Sequence, residues 1–207
     1  MANGTRGPQR PGHTGSIDWL ATLLHGRPLR RGDLVLQARS QRPGQLWVVL
    51  VDASASTQRH GALGQAKGLL AQVFAQAYRQ RVRLTLVQAS GNQPHWQWQG
   101  WRAAASAQRW LDSLGASGGT PLVQALSETA QWLARRQRQH PTEQRRLLIL
   151  TDGRLRDWPA LPTLDCPALL VDIECAPIRL GGARRLAHAL GAEYRHIESL
   201  PVAKNNP

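Results

Sequence analysis

Five oxygen-bearing side chains, spread widely along the chain, have the residue types of a site for a hard cation. Asp52, Ser54 and Ser56 lie within one short stretch, whereas Thr120 and Asp152 come much later. Two carboxylates and three hydroxyls form an all-oxygen donor set, which suits a divalent cation such as Mg²⁺. Because Ser54 and Ser56 alternate with other residues, both hydroxyls can project to the same side of an extended loop. The residue types therefore predict a divalent-cation site, provided that the fold brings them together.

Apolar runs before two of these polar stretches predict buried parallel strands. Residues 46–51 precede Asp52 and residues 147–150 precede Asp152, and both runs are rich in Val, Leu and Ile. Apolar runs of this length that end at polar or glycine residues are typical of strands buried on both faces. Loops at the carboxyl ends of such strands form the usual binding crevice of an open α/β sheet. We therefore expect both carboxylates at one edge of the sheet.

Each motif taken alone also has an ordinary structural explanation. The stretch 52–56 has the pattern of a helix cap or a turn after a strand. The loop 118–121 suits the start of a helix with proline in its first turn, and residues 151–153 suit a simple turn. The combination of all three, in this order and at strand ends, favours a ligand set over these separate explanations.

The remaining pattern alternates strands with helices. Helices are predicted over 16–24, 61–78, 103–114, 121–137 and 180–190, and further strands over 33–38, 82–87, 93–99, 168–173 and 193–197. This alternation predicts a doubly wound α/β fold with a mostly parallel sheet, helices on both faces and one short antiparallel edge strand. We expect a disordered tail over residues 1–15, one domain over 16–200 and a flexible C-terminus over 201–207.

The formal charge of +13, carried mostly by arginine, leaves two interpretations open. One is an acidic partner, either nucleic acid or a protein with a negative face. The other is a solvated, arginine-rich surface, which the dispersal of the arginines and the lack of nucleic-acid motifs favour. A negatively charged protein partner remains compatible with the sequence, whereas nucleic acid is disfavoured.

Cysteine usage and hydropathy bear on location. Cys166 and Cys175 are too few for a disulfide framework or a zinc site, so we expect reduced thiols. The N-terminus has no signal-peptide pattern, and no apolar run approaches the length of a membrane span. These observations predict a cytoplasmic protein with no membrane partner.

The five candidate ligands resemble the metal-ion-dependent adhesion site of the von Willebrand factor A domain family, which has a Rossmann-like fold. Order, spacing and strand placement all agree with that site. The resemblance implies that Ser54, Ser56 and Thr120 contact Mg²⁺ or another divalent cation. It implies that Asp52 and Asp152 act directly or through water, and that one coordination position is left for an acidic side chain of a partner protein.

A longer set of motifs is similar to the C-terminal region of magnesium chelatase D subunits. The similar stretches are 16–23, 30–34, 52–56, 65–68, 118–122, 150–154, 171–174, 178–181 and 187–194. The resemblance implies a non-catalytic D-type subunit of a magnesium or cobalt chelatase in tetrapyrrole or cobalamin biosynthesis. It also implies two partners, an AAA+ ATPase subunit that supplies an acidic ligand and a large catalytic subunit. Ala55 and Thr57 stand where the family usually has Gly and Met, but no ligand is lost.

The sequence contains no Gly-x-x-x-x-Gly-Lys-Ser/Thr phosphate loop. We therefore expect a freestanding adhesion domain without activity of its own, whose ATPase is a separate partner. An adhesion-type scaffold for an unrelated AAA+ machine is the alternative function.

Overall fold

A computed structural model of the chain describes residues 5–11, 15–54, 61–101, 104–115, 121–155 and 158–200. The chain divides into two compact units, Met1–Gly44 and Gln45–Pro207. The boundary between these units falls within the range 16–200, over which the sequence predicted one domain.

In the first unit, three strands form an antiparallel sheet. β1 (Thr5–Pro11) and β2 (Gly15–Ile17) each pair with the central strand β3 (Leu36–Arg42). β1 lies within residues 1–15, for which the sequence predicted a disordered tail, and pairing with β3 gives its backbone hydrogen-bond partners. Residues 1–4 and 12–14 of that range lie outside the described residues. The strand expected at 33–38 begins only at Leu36.

The first helix, α1 (Trp19–Leu24), begins later than the helix predicted from residue 16. Asp18 caps it, because its Oδ1 accepts a 2.9 Å hydrogen bond from the backbone N–H of Ala21. Thr22 is buried, and its Oγ1 accepts a 3.0 Å hydrogen bond from the N–H of Val35. This bond joins the helix to the segment that leads into β3.

The second unit is built on a six-stranded sheet in the order β6-β5-β4-β7-β8-β9. Its strands are β4 (Gln45–Asp52), β5 (Arg83–Ser90), β6 (Gln93–Trp101), β7 (Gln144–Thr151), β8 (Ala168–Asp172) and β9 (Glu193–His196). All neighbouring pairs are parallel except β5 and β6, which are antiparallel. The predicted sheet with one antiparallel edge strand is confirmed.

Helices cover both faces of this sheet, as predicted. They are α2 (Ala62–Arg79), α3 (Ala104–Ser113), α4 (Leu122–Gln139) and α5 (Gly182–Leu190). Along β4, Val49 and Val51 pack with α2 and α3, whereas Val48 and Leu50 pack with α4 and α5. This alternation follows from the two-residue period of a strand. Within the described residues, no helix is both long and apolar enough to cross a bilayer.

The chain changes direction across the sheet at β4. From β4 it first builds outward through β5 and β6, and then returns to the other side of β4 with β7. In open α/β sheets, the crevice at the carboxyl ends of strands on either side of such a switch point is where ligands bind. The carboxyl ends of β4 and β7 are therefore the place in this fold where a ligand site is expected.

Candidate metal centre

The first half of the site lies at the carboxyl end of β4. Asp52 is the last residue of the strand, and only 1% of its surface is exposed. Its Oδ1 accepts a 3.1 Å hydrogen bond from the N–H of Ser54, whose side chain also hydrogen-bonds to the Asp52 carboxylate. The backbone N–H of Ala53 donates to Ala89 O on β5, at 2.9 Å. The start of the loop is thus fixed with Ser54 buried beside Asp52.

The second half lies at the end of β7. Thr151 ends the strand, and its Oγ1 donates a 2.7 Å hydrogen bond to Asp52 Oδ2. Asp152 follows at once and is also buried, with Oδ1 accepting from the N–H of Arg154 at 3.1 Å. Because Thr151 bonds directly to Asp52, the two strand ends meet as the sequence predicted.

Asp52 ionises less readily than an ordinary aspartate, because it is buried and lies near Asp152. Burial is the main cause that raises its pKa, to about 6, and the negative charge of Asp152 raises it further. Hydrogen bonds from Thr151 and Ser54 act in the opposite direction, because they stabilise the carboxylate. Two buried carboxylates that repel each other form a place where a cation is electrostatically favoured.

A close contact between backbones holds the loop that carries Asp152. Gly153 has φ of +64°, and a Cβ on it would lie 2.0 Å from the backbone N of Ala183. A Cβ on Gly182 would lie 2.0 Å from the carbonyl oxygen of Gly153. Only glycine fits at both positions, so the loop after β7 rests directly on the first turn of α5.

An arginine and a buried glutamate lie beside Asp152, and sequence reasoning did not identify them as site residues. Arg154 donates from Nε and Nη2 to Glu174 Oε1, both at 3.3 Å. Its Nε also lies 4.0 Å from Asp152 Oδ2. Glu174 Oε2 accepts a 2.9 Å bond from the N–H of Leu180. The sequence signals for these two residues were the position of Glu174 directly after the strand predicted over 168–173, and the presence of both residues in the similar stretches 150–154 and 171–174.

A further buried carboxylate lies at the end of β8. Asp172 Oδ2 accepts a 2.8 Å hydrogen bond from the hydroxyl of Tyr194, and its Oδ1 accepts a 2.9 Å bond from the N–H of Glu174. Burial raises the pKa of Asp172, which these hydrogen bonds partly offset. Burial and the bond to Asp172 raise the pKa of Tyr194 to about 12. Asp172 is thus fully engaged by neighbours on β9 and in the following loop.

Three of the five predicted ligands can be compared with the structure. Asp52, Ser54 and Asp152 are all buried at the adjoining ends of β4 and β7, whereas Ser56 and Thr120 lie outside the described residues. The three described side chains offer only oxygen donors and two repelling carboxylates, so they fit a hard divalent cation. No cluster of three or more His, Cys, Asp or Glu side chains suited to a metal occurs among the described residues. Hydroxyl ligands would therefore have to complete a site here.

The match to a known family agrees with this architecture. Residues 47–154 match the von Willebrand factor type A domain family, and the chain belongs to that family. The match starts in β4 and ends at Arg154, so it includes both strand ends of the candidate site.

Two curated relatives are similar to most of this chain. A magnesium-chelatase 67 kDa subunit from Chlorobaculum parvum is 32% identical over 198 residues, which cover 83% of this chain and 31% of that subunit. An uncharacterized protein from Mycobacterium tuberculosis is 26% identical over 173 residues, which cover 78% of this chain and 28% of that protein. The chain thus spans under a third of the length of these relatives. The resemblance to a magnesium-chelatase subunit is confirmed.

Among solved structures, the manganese-loaded TRAP protein of Plasmodium vivax has a similar fold. The TM-score is 0.56 at 13% sequence identity, with 76% of this chain and 70% of that chain covered. At such low identity the likeness concerns the fold alone.

Proposed function

We propose that this domain is the D-type subunit of a metal chelatase and binds an AAA+ ATPase partner through a divalent cation. The cation, Mg²⁺ in this proposal, would be held by Asp52, Ser54, Ser56, Thr120 and Asp152. The observation that carries the proposal is that two buried carboxylates lie at the switch point of the sheet, where Asp52 bonds to Thr151, the residue directly before Asp152. The 32% identity with a magnesium-chelatase subunit supports the choice of chelatase.

The residues of the site would act by binding and orienting. When bound, the cation supplies an open coordination position for a carboxylate of the partner. Asp52 is held by Thr151 and Ser54 so that its charge stays at the strand end. Asp152 is held by the N–H of Arg154. A divalent cation held by only two protein carboxylates would still attract a third carboxylate strongly. This attraction would favour a partner with an acidic side chain.

The proposal extends to the assembly and its location. In a chelatase the domain would link the AAA+ ATPase to a large catalytic subunit, which inserts magnesium or cobalt into a tetrapyrrole. The relative named for magnesium chelatase supports this class of complex. We also propose a cytoplasmic location, which the two free cysteines, Cys166 and Cys175, support.

Capture of the AAA+ chelatase subunit by the immobilised domain tests this function. Capture is measured in Mg²⁺, in EDTA and after Mg²⁺ is restored, for the unchanged chain and for Asp52→Asn and Asp152→Asn. Asp165→Asn is the matched control, because Asp165 is exposed and lies away from the strand ends.

We expect capture in Mg²⁺ by the unchanged chain and by Asp165→Asn, with loss in EDTA and in both site variants. Equal capture under all these conditions would refute a metal-bridged contact. Metal-dependent capture of an AAA+ protein from an unrelated machine, with none of the chelatase ATPase, would favour the alternative scaffold function.

A further inference from the structure

Arg154 lies beside Asp152, at the edge of the candidate metal centre. Its side chain is 25% exposed, whereas those of Asp152 and Glu174 are only 4% and 1% exposed. It is therefore the cationic group beside Asp152 that keeps contact with solvent. Within the described residues, its Nε and Nη2 bond to Glu174, and Nη1 makes no hydrogen bond.

The distance to Asp152 argues against a simple pairing of these two residues. The separation of 4.0 Å between Arg154 Nε and Asp152 Oδ2 is beyond hydrogen-bond range. The guanidinium donates its hydrogen bonds to Glu174 instead, and the Glu174 carboxylate also accepts a hydrogen bond from the N–H of Leu180. Arg154 is thus drawn toward Glu174, and the Asp152 oxygen that faces it is left available to a cation.

The negative charge of Glu174 also allows Arg154 to lie beside a cation site. An unneutralised arginine this close to a metal ligand would repel a divalent cation. The buried carboxylate of Glu174 offsets that charge, so that Arg154 and Glu174 together are neutral. The pair can therefore lie beside a cation site and still present guanidinium donors.

We propose that Arg154, held by Glu174, is the second contact for the carboxylate of an acidic partner side chain. This inference rests on the proposed metal-dependent site. A carboxylate that binds the cation through one oxygen leaves its other oxygen in need of a donor. The guanidinium offers a rigid, planar set of N–H donors suited to that oxygen. The site then selects a carboxylate by two contacts rather than one.

The test measures how a carboxylate changes the affinity for Mg²⁺. Calorimetric titration gives the Mg²⁺ dissociation constant with and without sodium glutarate, at equal ionic strength and corrected for Mg²⁺ binding to glutarate itself. By linkage, a carboxylate that binds beside the metal tightens Mg²⁺ binding by the same factor as Mg²⁺ tightens carboxylate binding. Inorganic phosphate replaces glutarate in a parallel series.

The variants are Arg154→Gln, Arg154→Lys and the control Arg195→Gln. Arg195 is a mostly exposed arginine that pairs with Glu193 at 2.8 Å. Its replacement removes the same positive charge as Arg154→Gln, but at a position away from the metal centre. Arg154→Lys keeps the charge and loses the planar donor arrangement. Circular dichroism and thermal unfolding establish that each variant is folded.

We expect glutarate to tighten Mg²⁺ binding about fivefold or more in the unchanged chain and in Arg195→Gln. In Arg154→Gln this coupling should fall below about twofold while the affinity for Mg²⁺ alone stays within about threefold, and Arg154→Lys should be intermediate. A tenfold loss of Mg²⁺ affinity in Arg154→Gln without glutarate would assign Arg154 to positioning Asp152 and overturn the proposal.

Two other outcomes also decide the question. Stronger coupling to phosphate than to glutarate would overturn the choice of a carboxylate. Mg²⁺ binding without any coupling in the unchanged chain would overturn this inference and leave the metal site standing. Absence of Mg²⁺ binding would instead overturn the proposed function and this inference with it.

Discussion

Thr151 Oγ1 donates a 2.7 Å hydrogen bond to Asp52 Oδ2, and this bond joins the carboxyl ends of β7 and β4. The same hydroxyl accepts a 3.0 Å bond from the N–H of Gly153. One side chain therefore fixes both the carboxylate of the first motif and the backbone of the third. Although Thr151 is not among the predicted ligands, it aligns two residues that are.

Replacing Thr151 with valine should destabilise the domain without changing the size of the side chain. The variant removes the buried hydroxyl that Asp52 Oδ2 and the N–H of Gly153 share as a hydrogen-bond partner, which costs about 2 kcal/mol. Urea unfolding in EDTA, followed by tryptophan fluorescence, measures the free energy of unfolding. Thr151→Ser retains the hydroxyl and should lose less than about 1 kcal/mol. A valine variant as stable as the unchanged chain would contradict this role for the hydroxyl.

Gly153 should tolerate no side chain. Gly153→Ala combines a φ of +64° with a Cβ only 2.0 Å from the backbone of Ala183, so about 4 kcal/mol of stability or folding itself should be lost. Gly191→Ala is the matched control, because Gly191 has the same φ of +64° but nothing within 4 Å of the added Cβ. It should lose only about 1 kcal/mol. Equal losses in the two variants, measured by urea unfolding, would show that the close contact has no energetic weight.

The sequence allowed the strand ends to be predicted, because their signal is local. A buried strand is a continuous apolar run, and the polar residue that ends the run marks its carboxyl end. The runs before Asp52 and Asp152 are of this kind, and β4 and β7 are indeed parallel neighbours. Once both strands are parallel and adjacent, the two carboxylates must share an edge.

Contacts that depend on tertiary structure could not be predicted in this way. Glu174 is 20 residues from Arg154 along the chain, and only the pairing of β7 with β8 brings them together. The first unit shows the same difficulty, because the composition of residues 5–11 is typical of disorder, yet they pair with β3. The helix predicted from residue 16 begins only at Trp19, because residues 15–17 pair with β3 instead.

Removing the charge of Glu174 should weaken both folding and metal binding. In Glu174→Gln the guanidinium of Arg154 loses the buried counter-charge of Glu174, and its charge is then directed at Asp152, 4.0 Å away. Because Arg154 keeps some contact with solvent, we expect a loss of about 2 kcal/mol in unfolding free energy, below the range for fully buried pairs. The affinity for Mg²⁺ should fall as well, because the repulsion of the cation is no longer offset.

Glu193→Gln is the control for that experiment, because it removes an exposed glutamate that pairs with Arg195. Exposed pairs contribute less than about 1 kcal/mol, so this variant should resemble the unchanged chain in both measurements. If Glu174→Gln binds Mg²⁺ more tightly than the unchanged chain, the proposed neutralisation of Arg154 is wrong.

Tyr194 should ionise well above the range of an ordinary tyrosine. Its pKa is raised to about 12, first by burial and then by the hydrogen bond to Asp172. The neutral phenol is therefore favoured in the folded state relative to the unfolded state, where the pKa is about 10. Its contribution to stability is complete below pH 10 and is lost as the pH rises through 12.

Ultraviolet absorbance of the phenolate, compared between the unchanged chain and Tyr194→Phe, measures this ionisation. The difference should show a transition near pH 12. The free energy of unfolding should decline with pH more steeply in the unchanged chain than in Tyr194→Phe between about pH 10 and 12. A transition close to pH 10 would contradict both the burial of the Tyr194 phenol and its bond to Asp172.

Magnesium should stabilise the folded domain, because a ligand that binds only the native state shifts the unfolding equilibrium by mass action. At about 100 times its dissociation constant, Mg²⁺ should raise the free energy of unfolding by about 2.7 kcal/mol. The gain should vanish in Asp52→Asn and persist in Asp165→Asn, since only Asp52 lies at the strand end beside Asp152. Thermal unfolding at several Mg²⁺ concentrations, with EDTA as reference, measures the gain. The same gain in Asp52→Asn would exclude the Asp52 carboxylate as a ligand of the bound Mg²⁺ and contradict the proposed site.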